Sequence, residues 1–127
     1  MASTKWVYRF DEVDLAEKEP EAAERINHRA VDLLRTACDG HGARLIHVST
    51  DYVFDGEKAA PYVETDPPNP LSVYGRSKLE GERAIAASGC RHFIFRTSWV
   101  YAPGGRNFVN AILAAANTTE YKARLQA

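Results

Sequence analysis

The sequence has little of several features that mark particular classes of protein. Its 127 residues carry 16 Lys and Arg against 17 Asp and Glu, and the basic residues are scattered. There is therefore no basic field to attract nucleic acid or an anionic membrane surface. No apolar run approaches the roughly 20 residues of a membrane span, and residues 1–10 lack the apolar segment of a secretory signal. We expect a cytoplasmic protein with neither nucleic acid nor membrane as a partner.

Patterns of metal-binding and disulfide-forming residues are also scarce. The two cysteines, Cys38 and Cys90, lie far apart and match no metal or redox spacing. Free cysteines are often simply buried, so both are predicted to be buried thiols in a reducing compartment. A zinc site is not expected, because no ligand spacing relates the four histidines, His28, His41, His47 and His92.

The hydrophobic pattern predicts alternating helices and strands within a single domain of modest core. The first helix begins near Pro20, after an acidic, solvated start, and stops at Gly40 and Gly42. Its predicted buried stripe recurs at helical spacing and consists of Ala23, Ile26, Ala30, Leu33, Leu34 and Ala37.

Two short segments rich in β-formers follow, each with a helix after it. Residues 44–50 and 91–97 are predicted strands. A helix is predicted over 71–87 and a last one from 107 or 108, with loops at 51–70 and 98–107. Strands that alternate with helices predict an α/β fold, a partial Rossmann-like domain with a doubly wound, parallel sheet. Ligands of such sheets bind beyond the carboxyl ends of the strands, here at residues 49–52 and 97–99.

Tyr74 and Lys78 stand four residues apart in the predicted helix and so share one face. A neighbouring ammonium favours the phenolate and lowers the pKa of a tyrosine, which lets it exchange a proton with a carbonyl oxygen at neutral pH. Thr50, at the end of the first strand, could donate to the same oxygen. Each residue has a plainer interpretation. The pair arises by chance in many chains, Lys78 could form a solvated pair with Glu82, and Thr50 could bond to its own turn.

These residues lie within a longer set of motifs that resembles the dTDP-4-dehydrorhamnose reductase family of extended short-chain dehydrogenases/reductases. The resemblance covers about residues 11–113. The block YGRSKLEGE at 74–82 is typical of the whole superfamily, whereas VSTDYVFDG at 48–56 and RTSWVY at 96–101 are more specific to this family.

The resemblance implies a role for each matching residue. Tyr74 would be the general acid and would also lie in the cofactor-binding set. Lys78 would hold the nicotinamide ribose while tuning Tyr74, and Thr50 would polarise the C4 carbonyl of the sugar. Two further sets of roles follow: Val48 and Ser49 would line the nicotinamide side, and Tyr52 and Trp99 would contact the substrate. The implied reaction is hydride transfer from NADPH or NADH to dTDP-4-dehydro-L-rhamnose, giving dTDP-L-rhamnose.

Several alternatives stay open at this point. Trp99 could be a core residue, while Asp51 and Asp55 are interpreted as turn-capping residues. The chain could instead belong to another nucleotide-sugar epimerase or dehydratase, or to a non-catalytic regulatory subunit such as the β subunit of methionine adenosyltransferase. A homodimer is an assembly that the resemblance allows. The family also allows Mg²⁺, but no ligands for it are identifiable here.

The family's glycine-rich cofactor loop is not found in the sequence. None of the eight glycines forms G-x-G-x-x-G or G-x-x-G-x-x-G, the motif that lets a backbone approach the pyrophosphate. The first βαβ half and the C-terminal lobe are also unmatched, so we expect a partial domain. Two or three strands would leave sheet edges unpaired, which predicts marginal folding or association for this chain alone.

Overall fold

The computed structural model of the protein describes residues 10–101 and 107–116. The chain divides into two compact units between Arg96 and Thr97. The prediction of one domain over residues 1–127 stays a prediction. The assignment to the α/β class with a parallel, Rossmann-like sheet is confirmed.

The N-terminal helical segment is longer and less regular than predicted. Helix α1 spans Val13–Lys18, α2 spans Pro20–Glu24, a π-helical turn spans Arg25–Arg29 and α3 spans Ala30–Gly40. The prediction missed α1 and began at Pro20, the first residue of α2. The interruption has a local cause: Pro20 disfavours a helical conformation at the residue before it, and Glu19 adopts φ −127° and ψ 60°.

The predicted buried stripe is correct only in its first part. Ala23 is fully buried, whereas Leu33 is 72% exposed, and Leu34 and Ala37 are exposed as well. Helical spacing identifies an apolar face but does not say whether other parts of a protein cover it. The stripe prediction is therefore wrong for the C-terminal half of the helix.

The two strands occupy the predicted residues. Strand β1 spans Arg44–Thr50 and β2 spans Arg91–Thr97, and they pair in a two-stranded parallel sheet. Helix α4, Val73–Ala86, connects them. It begins two residues later than predicted because Ser72 is extended and its hydroxyl accepts the Gly75 N–H at 3.0 Å, as an N-cap residue does. A 3₁₀ turn at Asp51–Val53 opens the loop that was predicted to lack structure.

Helix α4 covers one face of the sheet. Successive residues of a strand point to opposite faces, so His47 and Ser49 are buried while their neighbours Ile46 and Val48 are exposed. Phe93 and Phe95 of β2 are exposed in the same alternating way. In the part of the chain that the structure describes, the sheet thus has one packed face and one apolar face in solvent.

Cys38 and Cys90 were predicted to be buried thiols, and this is confirmed only for Cys90. Cys38 is half-buried. Burial raises the pKa of the Cys38 thiol, and the nearby Cys90 adds to the effect.

The second unit contributes α5, Phe108–Ala116, close to the predicted start. Asn107 caps it, because its Oδ1 accepts the Asn110 N–H at 3.0 Å. Residues 102–106 of the predicted 98–107 loop lie outside the described residues. Within the described ranges, no helix combines the length and apolar character that crossing a bilayer needs.

Candidate functional site

The carboxyl end of β1 carries three of the predicted site residues, and their environments differ. Thr50 and Ser49 are buried, while Val48 is exposed on the open face of the sheet. The Thr50 hydroxyl donates to Asp51 Oδ1 at 3.0 Å and accepts the Tyr52 N–H at 3.2 Å. Thr50 therefore bonds to its own turn, as the plainer interpretation predicted.

Helix α4 places Tyr74 and Lys78 beside this strand end. Both side chains are buried, and Lys78 is only 7% exposed. Its Nζ donates to the Val48 carbonyl at 2.6 Å. The rings of Tyr74 and Tyr52 meet edge to face, with centroids 5.8 Å apart. Val48 and Tyr52 each lie two residues from Thr50. The bond of Lys78 to Val48 and the ring contact of Tyr74 with Tyr52 therefore bring all three predicted catalytic residues to the same end of β1.

Lys78 is a buried cation with charged neighbours. Burial lowers the pKa of its ammonium, and the carboxylates of Glu82 and Asp11 act in the opposite sense. Glu82 is itself only 4% exposed. The alternative of a solvated Lys78–Glu82 contact on the helix surface is therefore wrong, since neither residue is in water.

Glu82 is bound by an arginine that sequence reasoning did not select. Arg96 of β2 donates Nε to both carboxylate oxygens at 3.1 Å and Nη2 to Oε2 at 2.6 Å. Its guanidinium also lies over the Phe54 ring, 4.9 Å from the centroid. The two residues are 14 positions apart on different elements, so no local spacing could have paired them.

Asn27 is a second residue that the sequence analysis missed. Its amide donates to the Phe10 carbonyl at 2.9 Å and to Ser77 Oγ at 3.1 Å, while the Ser77 hydroxyl donates to the Tyr74 carbonyl at 2.8 Å. A buried polar chain thus connects the π-helical turn to the first turns of α4. The only hint of this role in the sequence was a single polar residue, Asn27, next to Ile26 of the predicted apolar stripe.

The buried face of β1 also holds polar atoms beside Lys78. His47 Nε2 and Ser49 Oγ are buried with no hydrogen-bond partner among the described residues. Burial and the charge of Lys78 lower the pKa of His47 to about 4, against an opposing effect of Glu82. The sequence analysis recognised His47 only as a strand residue.

The loop after β1 is organised by its aspartates. Asp55 accepts the Glu57 N–H at 3.1 Å, the Tyr62 hydroxyl at 2.6 Å and the Asn69 amide at 2.9 Å. The turn-capping interpretation of Asp55 is confirmed. The Asp51 side chain, by contrast, accepts the Thr50 hydroxyl through its Oδ1.

Among residues 10–101 and 107–116, no three His, Cys, Asp or Glu side chains are grouped to hold a metal ion.

Trp99 belongs to the second unit. Its side chain is 61% exposed and its backbone has φ +49°, a conformation that costs energy in a bulky residue. The alternative of a core residue is therefore wrong for the described chain.

Comparison with known proteins places these residues in a family. The family model described as "RmlD substrate binding domain" matches residues 7–124, a wider range than the predicted 11–113. The dTDP-4-dehydrorhamnose reductase of Sinorhizobium fredii is 51% identical over 111 residues, which cover 87% of this chain and 38% of the relative. The reductase of Escherichia coli K12 is 49% identical over 108 residues, covering 85% of this chain and 36% of the relative.

A solved structure agrees with this assignment. The dTDP-4-dehydrorhamnose reductase of Bacillus anthracis, solved in complex with NADP, superposes with a TM-score of 0.81 at 38% identity. The match covers 84% of this chain and 38% of that one. The chain thus spans less than two fifths of the length of these relatives, and it belongs to the family of the RmlD substrate binding domain, the dTDP-4-dehydrorhamnose reductases.

Proposed function

We propose that the complete protein carrying this segment reduces the 4-keto group of dTDP-4-dehydro-L-rhamnose to give dTDP-L-rhamnose, with NADPH or NADH as the hydride donor. The observation that carries the proposal is that Lys78, a buried ammonium, donates to the Val48 carbonyl beside Tyr74 and the end of β1. Family membership at about half identity supports the same reaction. We further propose that the protein works in the cytoplasm and as a homodimer.

The donor set at the strand end suits a nicotinamide cofactor. An ammonium has three N–H donors, and the bond to Val48 uses one of them, so Lys78 could also hold a ribose hydroxyl. Ser49 Oγ is a buried hydroxyl without a partner among the described residues. Together with the main chain of Val48, whose carbonyl binds Lys78, it would line the nicotinamide side. The cofactor supplies a hydride when bound. We do not propose Mg²⁺, since the described residues contain no group of three His, Cys, Asp or Glu side chains that could hold it.

The remaining chemistry belongs to side chains of this chain. Tyr74 gives its phenolic proton to the sugar oxygen as the carbonyl is reduced. Thr50 turns its hydroxyl proton from Asp51 to the same oxygen, and can still accept the Tyr52 N–H as it does so. Tyr52 and Trp99 contact the substrate, and the exposed Trp99 ring is accessible for this role.

Replacing Tyr74 by Phe in the complete protein tests the proposal. Tyr74→Phe removes the proton donor, so reduction should fall by about two orders of magnitude or more, while nucleotide binding stays nearly unchanged. The measurement is nicotinamide oxidation at saturating dTDP-4-dehydro-L-rhamnose. Tyr62→Phe is the matched control, since the Tyr62 hydroxyl bonds to Asp55 in the loop after β1, and it should retain the rate.

The same assay separates the competing functions. A reductase consumes one reduced nicotinamide per turnover, whereas an epimerase returns the hydride to the sugar and consumes none. A regulatory subunit would turn over neither substrate. Full activity of Tyr74→Phe, or conversion of the sugar without net oxidation of nicotinamide, would contradict the proposal.

A further inference from the structure

We propose that Glu82, bound by Arg96, is a positioning residue that keeps Lys78 charged and in place against the end of β1. The inference rests on the function proposed above for Lys78. Glu82 would touch neither cofactor nor substrate and would act through the ammonium one helical turn before it.

The geometry fixes the carboxylate in one place. Glu82 lies four residues after Lys78 on α4, so the two side chains share one face of the helix. Arg96 reaches across from β2 and binds both carboxylate oxygens, with its shortest bond at 2.6 Å. A bidentate arginine holds a carboxylate more firmly than a single bond does. Stacking on Phe54 in turn fixes the guanidinium.

The negative charge of Glu82 favours the charged form of Lys78. A buried ammonium tends to lose its proton, since burial disfavours the charged form. A neutral Lys78 would bond more weakly to the Val48 carbonyl and would no longer favour a Tyr74 phenolate. The negative charge of Glu82 opposes this loss.

Arg96 limits how strongly Glu82 acts. The positive charge of Arg96, which binds the Glu82 carboxylate directly, partly neutralises the effect of that carboxylate on Lys78. The charged and titratable groups of this cluster come from three elements and from the segment before α1: His47 of β1, Lys78 and Glu82 of α4, Arg96 of β2, and Asp11.

Two substitutions should move the pKa of Lys78 in opposite directions. Glu82→Gln keeps the side-chain shape but removes the charge, so the pKa of Lys78 should fall by about one pH unit. Arg96→Gln removes the competing cation and should raise it. A role confined to holding α4 against β2 does not predict opposite signs. Heteronuclear NMR of the Lys78 side chain, titrated in the complete protein, measures both values.

Glu80→Gln is the matched control for Glu82→Gln. It removes a partly exposed carboxylate that pairs with Arg83 and should leave the Lys78 titration unchanged. Glu82→Asp keeps the negative charge on a shorter side chain, so a smaller fall of the Lys78 pKa is expected. This variant tests the inference if Glu82→Gln does not fold. An unchanged Lys78 pKa in folded Glu82→Gln, or in Glu82→Asp when Glu82→Gln does not fold, would overturn the inference.

A second readout connects the cluster to activity in the complete protein. The alkaline limb of kcat against pH should move to lower pH in Glu82→Gln, in parallel with the fall of the Lys78 pKa. An alkaline limb that stays in place while the Lys78 pKa falls would also overturn the inference. Its failure differs from that of the proposed function, because the titration of Lys78 needs no activity, whereas the Tyr74→Phe assay tests the reaction itself.

Discussion

His47 couples the stability of the chain to acidity. Its imidazole is buried on the packed face of β1 near Lys78, and its pKa is lowered to about 4 from an ordinary 6.5. The unfolded chain therefore binds more protons than the folded chain between these two values. Stability contributed by neutral His47 is fully present above pH 6.5 and is lost as the pH falls toward 4.

Replacing His47 by Gln should flatten this dependence. The fall of the His47 pKa from 6.5 to about 4, at about 1.4 kcal/mol for each pH unit, gives an upper limit of about 3.5 kcal/mol for the stability lost between pH 6.5 and 4. Urea unfolding of both proteins across this range, followed by circular dichroism, measures it. His41→Gln is the control, because the His41 side chain is exposed. Equal slopes for the original chain and His47→Gln would show that another group causes the acid loss.

At the scale of single residues, the sequence predicts what depends on local spacing. Tyr74 and Lys78 share a helix face because they are four residues apart, and Thr50 ends a strand because the β-rich run ends there. Residues paired across elements are beyond such reasoning. The bond between Arg96 and Glu82 and the burial of His47 arise from the packing of α4 on the sheet, which no local pattern encodes.

Two glycines let α4 approach its neighbours closely. A Cβ at Gly75 would lie 2.2 Å from the Tyr52 carbonyl oxygen, and one at Gly81 would lie 2.3 Å from the Asn27 carbonyl oxygen. Both obstacles are backbone atoms, which cannot rotate away. These glycines therefore set the distance of the helix from the turn after β1 and from the π-helical turn.

Gly81→Ala should destabilise the chain by about 1–3 kcal/mol, the usual range for overpacking. Gly40→Ala is a matched control because a Cβ there would meet nothing within 4 Å, and alanine favours a helix more than glycine does. Thermal unfolding of both variants gives the comparison. A Gly81→Ala protein as stable as Gly40→Ala would contradict the close approach.

At the scale of elements, strands were easier to predict than helix boundaries. Both strands are short β-rich runs between glycines or polar turns, and their limits follow from composition. The helical segment from Val13 to Gly40 was predicted as one helix from Pro20. Its π-helical turn accompanies the bonds of Asn27 to Phe10 and Ser77, which are tertiary contacts and leave no periodic signal in the sequence.

The open face of the sheet is the main feature of the molecule as a whole. Ile46, Val48, Phe93 and Phe95 are all more than half exposed, although parallel sheets are normally covered on both faces. The doubly wound fold was predicted from the order of elements, but the exposure of this face was not, because the β-rich runs read as strands buried on both sides. A contiguous apolar surface of this kind favours association or aggregation.

We therefore expect this chain alone to associate as its concentration rises and to melt below about 60 °C, within the usual range of small domains. Phe95→Thr with Ile46→Thr should weaken association, because threonine keeps a high strand propensity while reducing the apolar surface. Sedimentation velocity at several concentrations measures the effect. Leu71→Thr is the control, since Leu71 is 67% exposed but lies in the loop before α4. If Leu71→Thr weakened association as much as the paired change, association would depend on total apolar exposure rather than on the open face. A monomer that melts cooperatively above that temperature would contradict the expectation altogether.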